Sequence, residues 1–224
     1  MLATDLKRRG YAIAARLVEP REIATVARAI DRQRLRSAGT RNLLVQLWCR
    51  ALVQRVRERL ANAGVLSRTA VAVQCTLFDK TAGRNWLVAL HQDLSIPVRA
   101  RVDHPSLGAW SRKEGTQFVQ PPIEVLERLV AVRVHVDDCG LENGPLKVVP
   151  GSHSKGRLDT ATGVRLRETF GEEACLVKSG DAVIMQPLLL HASSKAQTPA
   201  RRRVLHILFG PPELPHGLEW NHAV

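Results

Sequence analysis

The chain is predicted to be mainly β with N-terminal helices (α+β), its strands forming a barrel or jelly roll. Three observations predict this. Apolar residues recur at helical spacing before residue 66, and from about Arg68 the period falls to two and β-branched residues take over. Turn signals built from Gly, Pro, Asp and Asn then cut the rest of the chain into many short strands. At 224 residues the chain can bury a full core, so a single domain over 1–224 is expected. Within it, 1–66 is a helical packing segment and 67–224 the β core.

A short strand-like segment around Tyr11 to Leu17 comes first. Glu19-Pro20 then announces a helix, with Pro20 where its missing N–H costs nothing, and Ile23, Val26, Ala27 and Ile30 give it one apolar stripe. A second helix is expected from Leu43 to Asn62, with Leu44, Leu47, Trp48, Ala51, Leu52 and Leu60 facing inward and Gly64 as its stop. Thr69 to Phe78 reads as a strand ended by a turn at Asp79 to Gly83, and Trp86 to Gln92 as a second strand. Residues 95–122, broken by Pro97, Pro105, Gly108, Gly115, Pro121 and Pro122, read as a long insert loop, typically a lid or substrate loop, with Ile123 to Leu126 a short helical turn after it. Leu129 to Asp137 alternates cleanly as a strand. Leu146 to Val149 is another, a polar and exposed excursion follows to Glu173, and Ala174 to Val177, Ala182 to Met185, Leu188 to His191 and Arg203 to Phe209 complete the set.

Composition removes several function classes. No apolar stretch approaches the roughly 20 residues that span a bilayer, and the run after Lys7, Arg8 and Arg9 is too broken for a signal peptide, so a cytoplasmic protein with no membrane partner is expected. Cys49, Cys75, Cys139 and Cys175 form no C-x-x-C pair and read as buried small hydrophobes. The formal net charge of +12 would attract an anionic or carrier-linked molecule, or nucleic acid. Much of it falls on helical stretches such as Arg32 to Arg36 and Arg55, Arg57 and Arg59, where it reads as a solvated face. Aromatic content of 4% leaves few stacking platforms, so nucleic acid is the less expected partner.

Chemistry is suggested by His91-Gln92-Asp93. A histidine and a carboxylate two apart on a strand project to one face, and two histidines with one carboxylate bind non-haem Fe(II) with positions left open. His191 is the candidate second histidine. A rival exists in His135-Val136-Asp137, with the same spacing on an equally good strand; topology prefers His91, because a start there leaves room for one more intervening strand. Arg201, Arg202 and Arg203 open the last strand and should direct at least one guanidinium into the barrel, where its planar fork would suit a dicarboxylate. No extra carboxylate stands ready as the base of a zinc hydrolase, and Gly151-Ser152-His153 is a turn, not a nucleophile elbow.

Taken together, Phe78-Asp79-Lys80, Asn85-Trp86, His91-Gln92-Asp93, His135-Val136-Asp137-Asp138, Glu142 to Leu146, Pro150 to His153, Gly180-Asp181, His191-Ala192-Ser193 and Arg202 to Leu205 resemble, in order, the phytanoyl-CoA dioxygenase family of Fe(II)- and 2-oxoglutarate-dependent oxygenases. The resemblance runs from about residue 68 to the end. It implies a double-stranded β-helix (jelly roll, cupin-like), with His91, Asp93 and His191 as the catalytic iron ligands and Arg202 as the partner of the distal carboxylate of 2-oxoglutarate, helped by Ser193. It places His135 and Asp137 off the metal and leaves the arginine assignment open by one position. Gln92, Thr76, Lys80 and Trp110 are candidate pocket residues. The implied cofactors are Fe(II), 2-oxoglutarate and O₂, and the implied reaction is hydroxylation of a small or carrier-linked molecule with release of succinate and CO₂; related halogenases lack the carboxylate that Asp93 supplies. The competing reading is a non-enzymatic basic β-barrel module that binds nucleic acid or an acidic partner.

Overall fold

The computed structural model describes residues 1–33, 39–197 and 200–224; the expected charge run through Arg34 and Arg36 lies outside them. In chain order the elements are α1 (Leu2–Arg9), β1 (Tyr11–Ala14), α2 (Pro20–Arg32), β2 (Gly39–Thr40), α3 (Leu47–Asn62), β3 (Val71–Lys80) and β4 (Val88–His91). Next come β5 (Ile96–Val98), β6 (Gly108–Lys113), β7 (Thr116–Gln120), α4 (Ile123–Glu127), β8 (Val130–His135), β9 (Leu146–Val148) and α5 (Thr160–Phe170). The chain closes with β10 (Glu173–Cys175), β11 (Ala182–Met185), β12 (His191–Ser193) and β13 (Arg202–Gly210).

Two antiparallel sheets face each other as a jelly roll. The larger has the order β1-β11-β8-β13-β3-β2 and the smaller β10-β9-β12-β4. Strand alternation divides the larger sheet into two unlike faces. Cys75, Leu77, Val132, Val134, Leu205 and Ile207 point outward and pack against Ile23, Val26 and Ile30 of α2 and Leu52, Val53, Val56 and Leu60 of α3. The residues between them point inward; toward one end Ala131, Val183 and Met185 join Leu146 and Val148 in a second apolar cluster. Burial on the helical face releases roughly 1.5–3 kcal/mol per large aliphatic side chain, which is why the two helices are an integral wall of the domain.

Local chemistry explains the element ends. At α2, Glu19 and Glu22 form a reciprocal capping box and Pro20 opens the first turn. α1 ends at Gly10 in the left-handed region, where an added Cβ would run into His153 and Leu189.

Several sequence expectations change. Residues 95–122 are not a structureless insert: β5, β7 and β6 form a third sheet in that order. Its signals are local. Pro97 is tolerated because β5 is an edge strand, and the β6–β7 hairpin turns on Glu114 and Gly115, both at positive φ. The excursion before Glu173 contains α5, whose face buries little but Gly163, so no apolar stripe betrays it; Asp159 caps it by accepting from Thr162 N at 2.8 Å. On α3, Leu52 and Leu60 face inward as expected and Trp48 is half-buried against the core, but Leu47 and Ala51 are exposed; the inward stripe runs through Cys49, Leu52, Val53, Val56 and Leu60, and the helix begins only after a turn of 3₁₀ helix at Leu43–Val45. Asp79 and Lys80 belong to β3, extended by pairing with Arg203 and Arg202. Leu188 to Leu190 form a buried approach to β12 and lie outside its ladder. All four cysteines are free and buried, as expected, and no described helix is long and apolar enough to cross a membrane.

Candidate metal and anion-binding site

The smaller sheet brings the first residues together. In the β12–β4 ladder His191 lies directly opposite His91, and their rings sit 4.2 Å apart between centroids. Asp93, just past the end of β4, turns its carboxylate between them: Oδ1 is 3.6 Å from His91 Nε2 and Oδ2 is 3.7 Å from His191 Nε2. One donor atom from each of the three residues lies within 4.8 Å of the others, a spacing that could hold a metal ion. Both imidazoles are aimed by their own backbone. Nδ1 of His91 is 2.8 Å from Ala89 O and Nδ1 of His191 is 2.9 Å from Leu189 O, so each Nδ1 carries the proton and each Nε2 keeps its lone pair for a ligand. Two neutral imidazoles and one carboxylate are the donor set that suits Fe(II).

Electrostatics favour that state at Asp93 and His191. Burial pushes the Asp93 carboxyl up, but the surrounding His191, His91 and His206 outweigh it and hold the group well below the usual carboxylate range. Burial, against the pull of Asp93, lowers His191 to about 4, so its imidazole is neutral near pH 7. His91, more open, is shifted the other way: the hydrogen bond and charge of Asp93 overcome its burial penalty.

The three residues open onto a cavity of about 430 Å³ between the sheets. Its far wall is the inner face of β3, β8 and β13, where Gln74, Thr76, Phe78 and Lys80 face Arg133, Arg202 and His206. Arg202 lies opposite Lys80 in the ladder. It is 3% exposed, donates to Gly144 O at 2.6 Å, and leaves its Nε without a partner among the described residues. Its two neighbours point the other way: Arg201 forks onto Asp79 and reaches Asp31, and Arg203 clamps Asp137 and Asp31. The alternation of one strand thus separates the three arginines, and Arg202 is the one that enters the cavity. Ser193 Oγ accepts from Lys80 Nζ at 3.1 Å and donates to Gly144 O at 3.0 Å, which gathers Lys80, Ser193 and Arg202 at one end. Burial, and then the charge of Arg202, lower Lys80 to about 8.

The other expected pocket residues fare unequally. Thr76 lines the cavity and accepts from Gln74. Gln92 borders it, but its amide is spent on Gly156 O, Leu188 O and Leu158 N, a latch on the neighbouring loops. Trp110 is not among the lining residues; its ring sits on β6 with the Arg101 guanidinium 5.5 Å over it. The rival pair does not assemble a site. His135 is buried with both ring nitrogens unpartnered among the described residues, and Asp137 is engaged by Arg203.

Among the cavity residues that escaped the sequence reading are Arg133 and His206. Both were within reach of strand alternation: Arg133 shares a face with His135 on β8, and His206 with Arg202 on β13. Arg133 Nη1 lies 3.1 Å from His206 Nδ1, and His206 Nε2 lies 3.9 Å from Asp93 Oδ2.

The chain matches the phytanoyl-CoA dioxygenase (PhyH) family over residues 6–204. No curated protein matches it. Among solved structures it is similar to AviO1 from Streptomyces viridochromogenes Tue57, with a TM-score of 0.70 and 23% identity over 96% of this chain and 95% of that one. It is also similar to the epimerase SnoN in complex with Fe³⁺, alpha ketoglutarate and nogalamycin RO (TM-score 0.71, 16% identity, 96% and 86% covered). HygX from Streptomyces hygroscopicus with nickel and 2-oxoglutarate bound gives a TM-score of 0.64 at 16% identity over 94% and 86%. At these identities the likeness shows a shared jelly-roll fold.

Proposed function

The chain belongs to the phytanoyl-CoA dioxygenase family, and from that premise we propose that it is an Fe(II)- and 2-oxoglutarate-dependent dioxygenase that hydroxylates a small molecule. One observation carries the reading: a two-histidine, one-carboxylate cluster opens onto the same cavity as a buried arginine that has no carboxylate partner among the described residues. A cavity of about 430 Å³ is in the range of small-molecule sites.

His91 and His191 would present Nε2, and Asp93 one carboxylate oxygen, to Fe(II). When bound, the metal with 2-oxoglutarate and O₂ supplies oxidising power for a C–H bond, the cosubstrate leaving as succinate and CO₂. The protein does the positioning. Arg202 takes the distal carboxylate through its planar fork, Lys80 and Ser193 stand beside it, and Gly144 O holds the guanidinium in place. Asp93 fills the third protein-ligand position, so no place is left there for a halide, which favours hydroxylation over halogenation. SnoN is described as an epimerase, and the product therefore has to be measured.

Under anaerobic conditions Fe(II) and 2-oxoglutarate together should give a visible charge-transfer band. Admitting air should then yield succinate, and ¹⁸O₂ should label the product alcohol. A chain that gives neither band nor succinate is not this oxygenase; succinate with an unlabelled, desaturated or epimerised product keeps the oxygenase and removes the hydroxylase.

A further inference from the structure

Among the described residues that line the cavity, five are Lys or Arg, and Asp93 is the one carboxylate. Four of the five are accounted for. Arg41 pairs with Glu114 at 2.7 Å, and Lys113 lies over the Phe118 ring. Lys80 and Arg202 form the station assigned above to the distal carboxylate of 2-oxoglutarate. Arg133 is left over. It is 8% exposed, its guanidinium stacks on Phe78, one nitrogen contacts His206, and its Nε has no partner among the described residues. A cation buried in this way is costly to keep charged unless an anion joins it.

The cosubstrate does not meet that need. Its one distal carboxylate is taken at the Lys80–Arg202 rung, whereas Arg133 belongs to the rung formed with His206 and Thr76, further along the same strands. A divalent cation and a dianion offset each other, so the cavity cations still outnumber the Asp93 carboxylate when both are bound. Because Arg133 donates to His206 Nδ1, the ring proton sits on Nε2, 3.9 Å from Asp93 Oδ2. The two side chains thus make a second donor station close to the metal ligands.

We propose that Arg133 anchors an acid group of the primary substrate, a carboxylate or a phosphate monoester, beside His206. This rests on the oxygenase reading and names the substrate class for it. The substrate is then a small anionic molecule bound acid-end inward, and the carbons next to that acid are the ones presented to the oxidant.

The test uses the Fe(II) protein saturated with 2-oxoglutarate under anaerobic conditions, with benzoate, phenyl phosphate and neutral benzamide as probes. Perturbation of the charge-transfer band and calorimetry are the readouts. At least one anion should bind ten times or more tighter than benzamide, the tighter of the two identifying the acid. Arg133→Met should weaken it at least tenfold, Arg133→Lys should restore part of the loss, and the dissociation constant for 2-oxoglutarate should change less than threefold in both variants. The inference is overturned if neither anion binds the unmodified protein at millimolar concentration, if benzamide binds equally well, or if Arg133→Met loses 2-oxoglutarate as Arg202→Met does. Should the unmodified protein give no charge-transfer band, the oxygenase reading fails instead. Calorimetry of the same probes with the metal-free protein then decides Arg133 separately, loss of anion binding in Arg133→Met upholding the anchor and unchanged binding refuting it.

Discussion

The chain writes the same His-x-Asp pattern twice, His91-Gln92-Asp93 and His135-Val136-Asp137, and folds the two copies into different sheets. The first lies at the end of β4, an edge strand of the smaller sheet, where its side chains open onto the cavity and pairing with β12 sets His191 across from His91. The second lies at the end of β8, flanked on both sides by β11 and β13. There His135 is sealed inside, while Asp137, past the strand end, turns away to accept from Arg203. Spacing puts two donors on one face, but it is an open edge with a third donor across the ladder that gathers His91, Asp93 and His191 where they could hold a metal ion.

The largest expected contrast is in metal binding. His91→Ala should weaken Fe(II) binding more than about 100-fold, beyond the 10–100-fold typical of losing a supporting hydrogen bond, whereas His135→Leu should leave it within about threefold. Anaerobic titration read by calorimetry checks both, and an equal loss in the two variants breaks the comparison. The arginines extend the contrast, because Arg202 lines the cavity that the first copy opens onto and Arg203 clamps Asp137 of the second. Arg202→Met should raise the 2-oxoglutarate dissociation constant by about 10–100-fold, the worth of a charge-assisted pair, and Arg201→Met should leave it nearly unchanged. Asp137→Ala should instead cost stability, about 1–3 kcal/mol in a urea titration, since it takes the hydrogen bonds to Nε and Nη2 from the largely buried Arg203 and leaves the more exposed Asp31 as its carboxylate partner.

Acid sharpens the comparison further. Burial, and then Arg133 and Arg202, hold His135 down to about 3. Its folded value lies below the free value near 6.5, so as pH falls between the two the unfolded chain takes up the proton first and stability drops. From pH 7 to pH 5 the loss through this group is about 2 kcal/mol. His135→Leu should flatten the slope of stability against pH, with His191 and His206, both near 4, keeping the remainder. The smallest effect is expected at Lys80, lowered to about 8. Raising the pH from 7 to 9.5 removes its charge, so 2-oxoglutarate binding should weaken by about three- to tenfold, and Lys80→Met should bind weakly at both pH values.

Much of the fold was legible in the chain because its signals are local. The Pro20 cap, the stripe of α2, the alternation of β8 and the turns around Gly144 and Gly180 each depend on a few neighbours. What escaped was structure whose signal is weak or distant. α5 has caps but no buried stripe, and the sheet over 95–122 is marked by a Glu114-Gly115 turn that a Pro-rich setting hides. Arg133 and His206 were visible as members of strand faces, yet nothing local says that this face encloses a cavity.

The sequence by itself determined the donor types and their spacing, the strand alternation that sends Arg202 inward between Arg201 and Arg203, and the caps and turns that bound the elements. Only the tertiary structure decided which His-x-Asp copy is open, that His191 stands across from His91, and that Lys80, Arg133 and Arg202 from separate strands share one cavity. The reason is physical: a side chain's face is fixed by φ and ψ within two or three residues, whereas what lies opposite that face is fixed by strand order and register, which the collapse of the whole chain sets.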